Sequence, residues 1–120
     1  MKAPRGKAWT PKLSREAERD YADIIAWTVE TFGSRQAQRY RALFKEAHAR
    51  LARDPFANPA RVRADLGAGY RILHLSRPGR HYLVYRTEDR RVVIVRILHD
   101  RMDLPRHLPG LGKTGATEED

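Results

Sequence analysis

Cysteine is absent from the 120 residues. Disulfide frameworks, thiolate nucleophiles and cysteine-based zinc sites are thereby excluded. A reducing, cytoplasmic setting is the expectation. No apolar run approaches the roughly 20 residues of a membrane-spanning helix, so no membrane association is expected. The opening Met1-Lys2-Ala3-Pro4-Arg5-Gly6-Lys7 is basic but leads into no apolar stretch. It reads as a flexible arm, not a secretory leader. A phosphate-binding loop is missing too, because Gly67-Ala68-Gly69 lacks the remaining spacing and opens no helix. The five histidines, His48, His74, His81, His99 and His107, show no metal-ligand spacing. They read as scattered surface or strand residues, and neither metal nor cofactor is expected.

Acidic residues are also in deficit. Lys and Arg number 24 against 15 Asp and Glu, a net charge of +9. Glu118, Glu119 and Asp120 close the chain, so its body is more basic than the total indicates. Such a surface attracts polyanions: DNA, RNA or an acidic protein segment.

What is present has the pattern of one α+β domain. Residues 8–13 form a candidate first strand, with Pro11 confining it to an edge. Ser14 has the chemistry of a helix N-cap, with Glu16, Glu18 and Asp20 following where the helix dipole favours negative charge. Ala17, Tyr21, Ile24, Ile25, Thr28 and Phe32 then recur at helical spacing. Gly33 stops this helix and Ser34 is expected to cap the next. The second helix aligns Ala37, Tyr40, Leu43, Phe44, Ala47 and Leu51 until Asp54-Pro55 ends it. A junction this short predicts an antiparallel hairpin. Residues 55–68 read as mostly loop. Strands are expected over 70–75, 81–86 and 91–99. The first turn between them, Arg77-Pro78-Gly79-Arg80, has the Pro-Gly order of type II. The last strand is the most β-branched and is expected in the sheet interior. The hairpin should cover one face of a curved, mainly antiparallel sheet. The boundaries are a basic arm at 1–7, a single domain at 8–108 and a disordered tail at 109–120.

Chemistry is harder to find. Ser14 and Ser34 serve as caps, Ser76 sits at a strand end, and none lies in a nucleophile elbow. His99 could act as a general base at a strand end but has no partner in the sequence. Asp100 and Asp103 flank Arg101 and Met102, as an acid/base pair or, the commoner arrangement, a salt-bridged turn. Tyr21, Phe32, Tyr40 and Phe44 read as core. Arg71, Arg86 and Arg96 sit inside strands. There an arginine either grips an anion from a concave face or lies on the polar outer face of a half-covered sheet. Both readings stay open.

The order of these elements resembles the RelE/ParE toxin family over residues 8–108. The likeness rests on Leu13-Ser14-Arg15-Glu16-Ala17-Glu18-Arg19-Asp20-Tyr21-Ala22-Asp23-Ile24 with Gly33, then Ala37, Leu51 and Pro55. It continues through Gly69-Tyr70-Arg71 and Tyr82-Leu83-Val84-Tyr85-Arg86. The most specific piece runs from Val93 to Asp103, including Arg96-Ile97-Leu98-His99-Asp100-Arg101-Met102.

The resemblance implies a toxin of a type II toxin–antitoxin pair, neutralised by a small antitoxin, often with a ribbon–helix–helix DNA-binding half. The antitoxin's acidic or amphipathic tail would wrap the helix hairpin and sheet groove, with Arg39, Arg71, Tyr85 and Arg86 as candidate contacts. RelE-like members are ribosome-dependent mRNA endonucleases with a basic set and a C-terminal tyrosine or histidine. That reading would make Arg71, Arg101, His99 and His107 the catalytic candidates. The set is broken here, with Leu73 and Tyr82 at two positions where basic residues are expected. The final strand and its Arg-Met-Asp turn resemble ParE-like members instead, which implicate DNA gyrase as target. On that branch the chain is a binding inhibitor, not an enzyme, and Arg96, Arg101 and Asp103 are the candidate target contacts. One fold hosts both activities, so the branch is chosen by analogy.

Overall fold

The structure, a computed structural model, describes residues 9–57 and 61–102. The predicted arm at 1–7, the tail at 109–120, and the candidates Asp103 and His107 lie outside them. Strand β1 (Thr10–Leu13) leads into helix α1 (Arg15–Phe32), then helix α2 (Ser34–Arg53). The short strand β2 (Arg61–Val62) and a single 3-10 turn (Ala64–Leu66) precede β3 (Arg71–His74), β4 (His81–Glu88) and β5 (Arg91–His99). The 55–68 stretch is thus less loop-like than expected.

Helix ends follow the local chemistry. The Ser14 hydroxyl accepts the Ala17 N–H at 3.0 Å, with Glu16 and Glu18 in the first turn. Gly33, at φ 95°, donates its N–H to Val29 O at 2.8 Å. Its carbonyl at the same time accepts Ala37 N–H at 3.2 Å and opens α2. Ser34 is therefore the first residue of α2, not its cap, and the junction is a single glycine. Asp54, extended before Pro55, closes α2.

The sheet order is β1-β5-β4-β3-β2, with β1 parallel to β5 and the other pairs antiparallel. β5 is interior, as its apolar content predicts, and β4 is the middle strand. The hairpin fills one face, where Ala17, Phe44, Ala47 and Leu51 meet Leu73, Leu83, Tyr85, Val92, Ile94 and Ile97. On the other face Leu66 and Tyr70 cover Ile72, Val84 and Leu98. Asp89 and Arg90 form the β4–β5 turn, both at positive φ, which suits the twist of a two-residue hairpin loop. The β3–β4 turn differs from expectation. Gly79 N–H donates to Ser76 O at 2.7 Å across a cis Arg77–Pro78 bond, so Pro78 takes the third turn position, not the second. A Cβ on Gly79 would stand 2.5 Å from Leu75 Cβ, so only glycine fits.

One place needs side chains to complete the sheet. β1 stops at Leu13, opposite Ile94. Beyond it, the edge of β5 is satisfied from α1 and its cap. Ser14 Oγ donates to Val95 O at 2.9 Å, and Asp20 Oδ2 accepts Ile97 N–H at 2.9 Å. Asp20 also receives the Arg96 guanidinium through both oxygens, at 2.8 and 3.1 Å. Replacing Asp20 with Ala leaves a strand N–H and a half-buried guanidinium without their acceptor. The expected loss is about 3 kcal/mol in urea unfolding. A change within about 0.5 kcal/mol, the usual range for unremarkable surface substitutions, would show that the carboxylate does not hold this edge.

Candidate functional site

Three surface features gather the chemistry. The first is a groove of about 720 Å³ between α1 and α2. Leu13, Tyr21, Phe44, Leu83, Ile94 and Ile97 line it, and Arg41, Lys45 and His48 of α2 bring basic side chains to it. An apolar trough with a cationic rim is complementary to an amphipathic segment carrying acidic residues.

The second feature lies where β3 and β5 end and β4 begins. The register sets His81 opposite His99 and His74 opposite Tyr82. Asp100 stands at the centre. Its carboxylate takes His74 Nε2 at 2.8 Å and Arg80 Nε at 3.2 Å, and its N–H donates to Arg80 O at 2.8 Å. Burial pushes the Asp100 carboxyl up, but the hydrogen bonds from His74 and Arg80 outweigh it, and the net shift is downward. His74 Nδ1 meets Leu75 O at 2.6 Å, so both ring nitrogens face oxygen atoms. Beneath, Arg80 N–H donates to the Tyr40 hydroxyl at 2.8 Å, and that hydroxyl donates to His81 Nδ1 at 2.7 Å. Burial, reinforced by His99, lowers the His81 pKa to about 4. His99 Nδ1 accepts the Arg101 N–H at 3.1 Å. The cluster is a clasp: it ties β3, the β3–β4 turn and α2 to the point where Arg101 leaves the sheet. No group of residues suited to a metal ion occurs among the described residues.

The third feature is at the opposite end of the sheet. Trp9 and Phe56 meet edge to face at 5.5 Å. The Arg71 guanidinium lies 5.1 Å from the Phe56 centroid and that of Arg90 4.4 Å from the Trp9 centroid.

The candidates from sequence are dispersed over these features. Arg71 pairs in register with Tyr85, whereas His99 pairs with His81. Four residues of β4 separate the two rows, roughly 13 Å at about 3.3 Å per residue. Arg71 and the His99–Arg101 pair therefore do not converge. Arg96 is held by Asp20, and Arg86 pairs with Glu88. Arg39 is exposed on α2, and no ion pair forms to it among the described residues. Tyr85 is corrected from a contact residue to a core residue. It is 0% exposed, its hydroxyl donates to Pro55 O, and burial drives its pKa up to about 12. Sequence reading missed the clasp, in which Tyr40, His74, His81 and Asp100 are brought together from three strand ends and a helix. The only available signal was that three of the five histidines fall at strand ends.

The hairpin-on-sheet domain is the architecture of small toxins from toxin–antitoxin pairs. It superposes on a chain of a chromosomal ParDE system from P. aeruginosa with TM-score 0.64 and 22% identity, covering 78% of this chain and 97% of that one. It also superposes on a chain of the RelBE2 toxin–antitoxin complex from Mycobacterium tuberculosis, with TM-score 0.52 and 26% identity, covering 77% and 98%. Residues 12–104 match the family described as ParE toxin of type II toxin-antitoxin system, parDE. Toxin ParE of Escherichia coli is 34% identical over 95 residues, 77% of this chain and 85% of that protein. Toxin ParE1 of M. tuberculosis is 36% identical over 99 residues, 80% and 94% respectively. The chain belongs to the ParE toxin family. No helix among the described residues is long and apolar enough to cross a membrane.

The depressed His81 pKa carries a pH signature. Its neighbours are Tyr40 from α2, His99 and Asp100 at the end of β5, His74 of β3, and Asp20 of α1. The folded value, about 4, lies below the ordinary 6.5. The unfolded chain therefore takes up the proton first, and stability present above pH 6.5 is lost as pH falls toward 4. His81→Gln keeps an acceptor for Tyr40 and removes this titration. Urea midpoints measured across that window should fall less in the variant than in the parent. Equal falls would refute a neutral, buried His81.

Proposed function

We propose that this ParE family toxin arrests growth by binding DNA gyrase, without RNA cleavage, and that an antitoxin segment seated in the α1–α2 groove neutralises it. The observation carrying this reading is the separation of the sequence's basic candidates. Arg71 stands at one end of the sheet, with His99 and Arg101 at the other. Acid–base cleavage of a phosphodiester needs its groups within hydrogen-bond reach of one scissile bond, and a binding surface has no such requirement. The clasp supports the same view. It fixes where Arg101 and Met102 depart from β5, the first two residues of the Arg-Met-Asp sequence that resembles gyrase-directed members. Arg96 contributes by anchoring that strand to α1, with Arg101 and Asp103 as the candidate target contacts. The antitoxin is an acidic, amphipathic protein of the ribbon–helix–helix kind, and its tail complements the Arg41, Lys45 and His48 side of the groove.

A ribosome-dependent endonuclease is the second reading. One observation favours it: the clasp places three histidines, Tyr40 and Arg80 at one sheet end. The two readings part in a supercoiling assay. Titrated against gyrase and relaxed plasmid, the protein should abolish supercoiling and accumulate linear DNA, and Arg101→Ala should weaken this effect. Unchanged supercoiling at large excess, together with cleavage of message on translating ribosomes that is lost in Arg101→Ala, would replace the gyrase reading by the ribosomal one.

A further inference from the structure

We propose that the corner formed by Trp9, Phe56, Arg71 and Arg90 is a receptor for a carboxylate side chain of the antitoxin. This inference rests on the antitoxin reading above and adds a second anchor, apart from the groove.

The corner is assembled from four separate parts of the chain. Trp9 enters ahead of β1 with its N–H on Ala52 O at 2.9 Å. Phe56 follows α2, its N–H held by Asp54 Oδ1 at 3.0 Å. Arg90 comes from the β4–β5 turn, where its carbonyl accepts Thr10 N–H at 3.0 Å. Arg71 is placed by β3. These anchors fix the backbone around both guanidiniums.

Arg71 is the unusual member. A guanidinium is charged at every accessible pH, and in a half-buried position it is normally matched by a carboxylate. Arg96 and Arg86 in the neighbouring strands are matched in that way, by Asp20 and Glu88. Arg71 has no ion pair among the described residues, and its Nε–H is buried without an acceptor. The adjacent Tyr85 hydroxyl gives its proton to Pro55 O and offers the Arg71 side chain a neutral hydrogen-bond partner, not a charge. The nearby Asp54 carboxylate is engaged with the backbone of Phe56. Arg90 likewise forms no ion pair among the described residues, and its guanidinium sits over the Trp9 ring. An arginine stacked on a ring keeps its N–H edge outward and loses little freedom when that edge is filled. The corner thus holds two guanidiniums with no ion pair to either among the described residues, and the nearby Asp54 carboxylate turned to the backbone.

Geometry selects the anion. A carboxylate is slender and planar and matches a guanidinium edge with two parallel hydrogen bonds. With the 48%-exposed Phe56 ring displaced, it can reach the sunken Nε and an adjacent terminal nitrogen together. The tetrahedral diester of a nucleic-acid backbone is bulkier and suits guanidiniums standing clear of the surface. An aspartate or glutamate from an extended segment is the better fit.

The test uses the full chain and a hexaglutamate peptide as probe. Arginine Nε–H resonances are followed by NMR at low salt, with Arg71 and Arg90 assigned through Arg71→Lys and Arg90→Lys. Saturable movement of the Arg71 signal is expected, larger than that of the exposed Arg39 and Arg77. Arg71→Lys keeps the charge but loses the fork, and should bind about tenfold more weakly, the effect of losing about 1.4 kcal/mol. An unchanged melting temperature will show that it still folds. Uniform small shifts of all arginines would overturn the proposal, as would shifts confined to groove residues such as Lys45, which would leave the antitoxin reading standing. Saturation of Arg71 by an oligothymidylate and not by hexaglutamate would also overturn it and assign the corner to nucleic acid. None of these readouts depends on gyrase.

Discussion

The carboxylate of Asp20 does the work of a missing strand. β5 is paired by β1 only as far as Ile94, and a strand edge left open in the interior would expose unpaired peptide groups to the underside of a helix. Asp20 closes that edge by accepting Ile97 N–H, and it takes Arg96 at the same time. Because Asp20 sits within α1, this places α1 against β5 in one register only. The single-glycine junction at Gly33 then fixes α2. The gap between the helices follows from the same geometry. With α1 drawn to the edge of β5 and α2 tied through Tyr40 to His81, the hairpin leaves a groove floored by the buried Leu83, Ile94 and Ile97.

The two ends of the sheet have opposite electrostatic character, though both are rich in cations. At the clasp Asp100 collects His74 and Arg80, and the Tyr40 hydroxyl bonds to His81, whose pKa burial lowers. Such a network makes a fixed geometry and leaves little residual affinity for an anion. At the aromatic corner the guanidiniums lie over rings and form no ion pair among the described residues. A net charge of +9 therefore says less about binding than the distribution of unpaired guanidiniums does.

Local signals were legible in the sequence and long-range ones were not. Ser14, Gly33 and Asp54-Pro55 fixed the helix ends because capping depends on residues within a turn of one another. Alternating apolar residues located the strands. The pairing of His81 with His99 depends instead on a bulge. Glu88 faces Arg91 and Tyr85 faces Ile94, and continuing that count puts His81 opposite Leu98. One extra residue in β5 at Val95 moves the partner to His99. Nothing local in Val93-Ile94-Val95-Arg96-Ile97 announces it, because the bulge is stabilised by Ser14 and Asp20, some 80 residues away. Tyr85 misled for a related reason: a tyrosine on a strand reads equally as contact or core until the carbonyl that receives its hydroxyl, Pro55, is located.

The strand arginines show how the remaining ambiguity is settled. Sequence left Arg71, Arg86 and Arg96 as either anion grips or outer-face residues, and neither description covers all three. Arg86 lies beside Glu88, two residues along its own strand, and that pairing is a solvated surface contact of small energetic weight. Arg96 is displaced by the bulge to the sheet edge, where a helix carboxylate meets it, so its role is architectural. Arg71 faces the helix layer at the end of the core, where Phe56 and Tyr85 supply ring faces and a hydroxyl but no charge. A permanently charged group in that setting carries a desolvation cost that no ion pair among the described residues offsets. This distinguishes Arg71 from the other two strand arginines, each of which meets a carboxylate of its own chain.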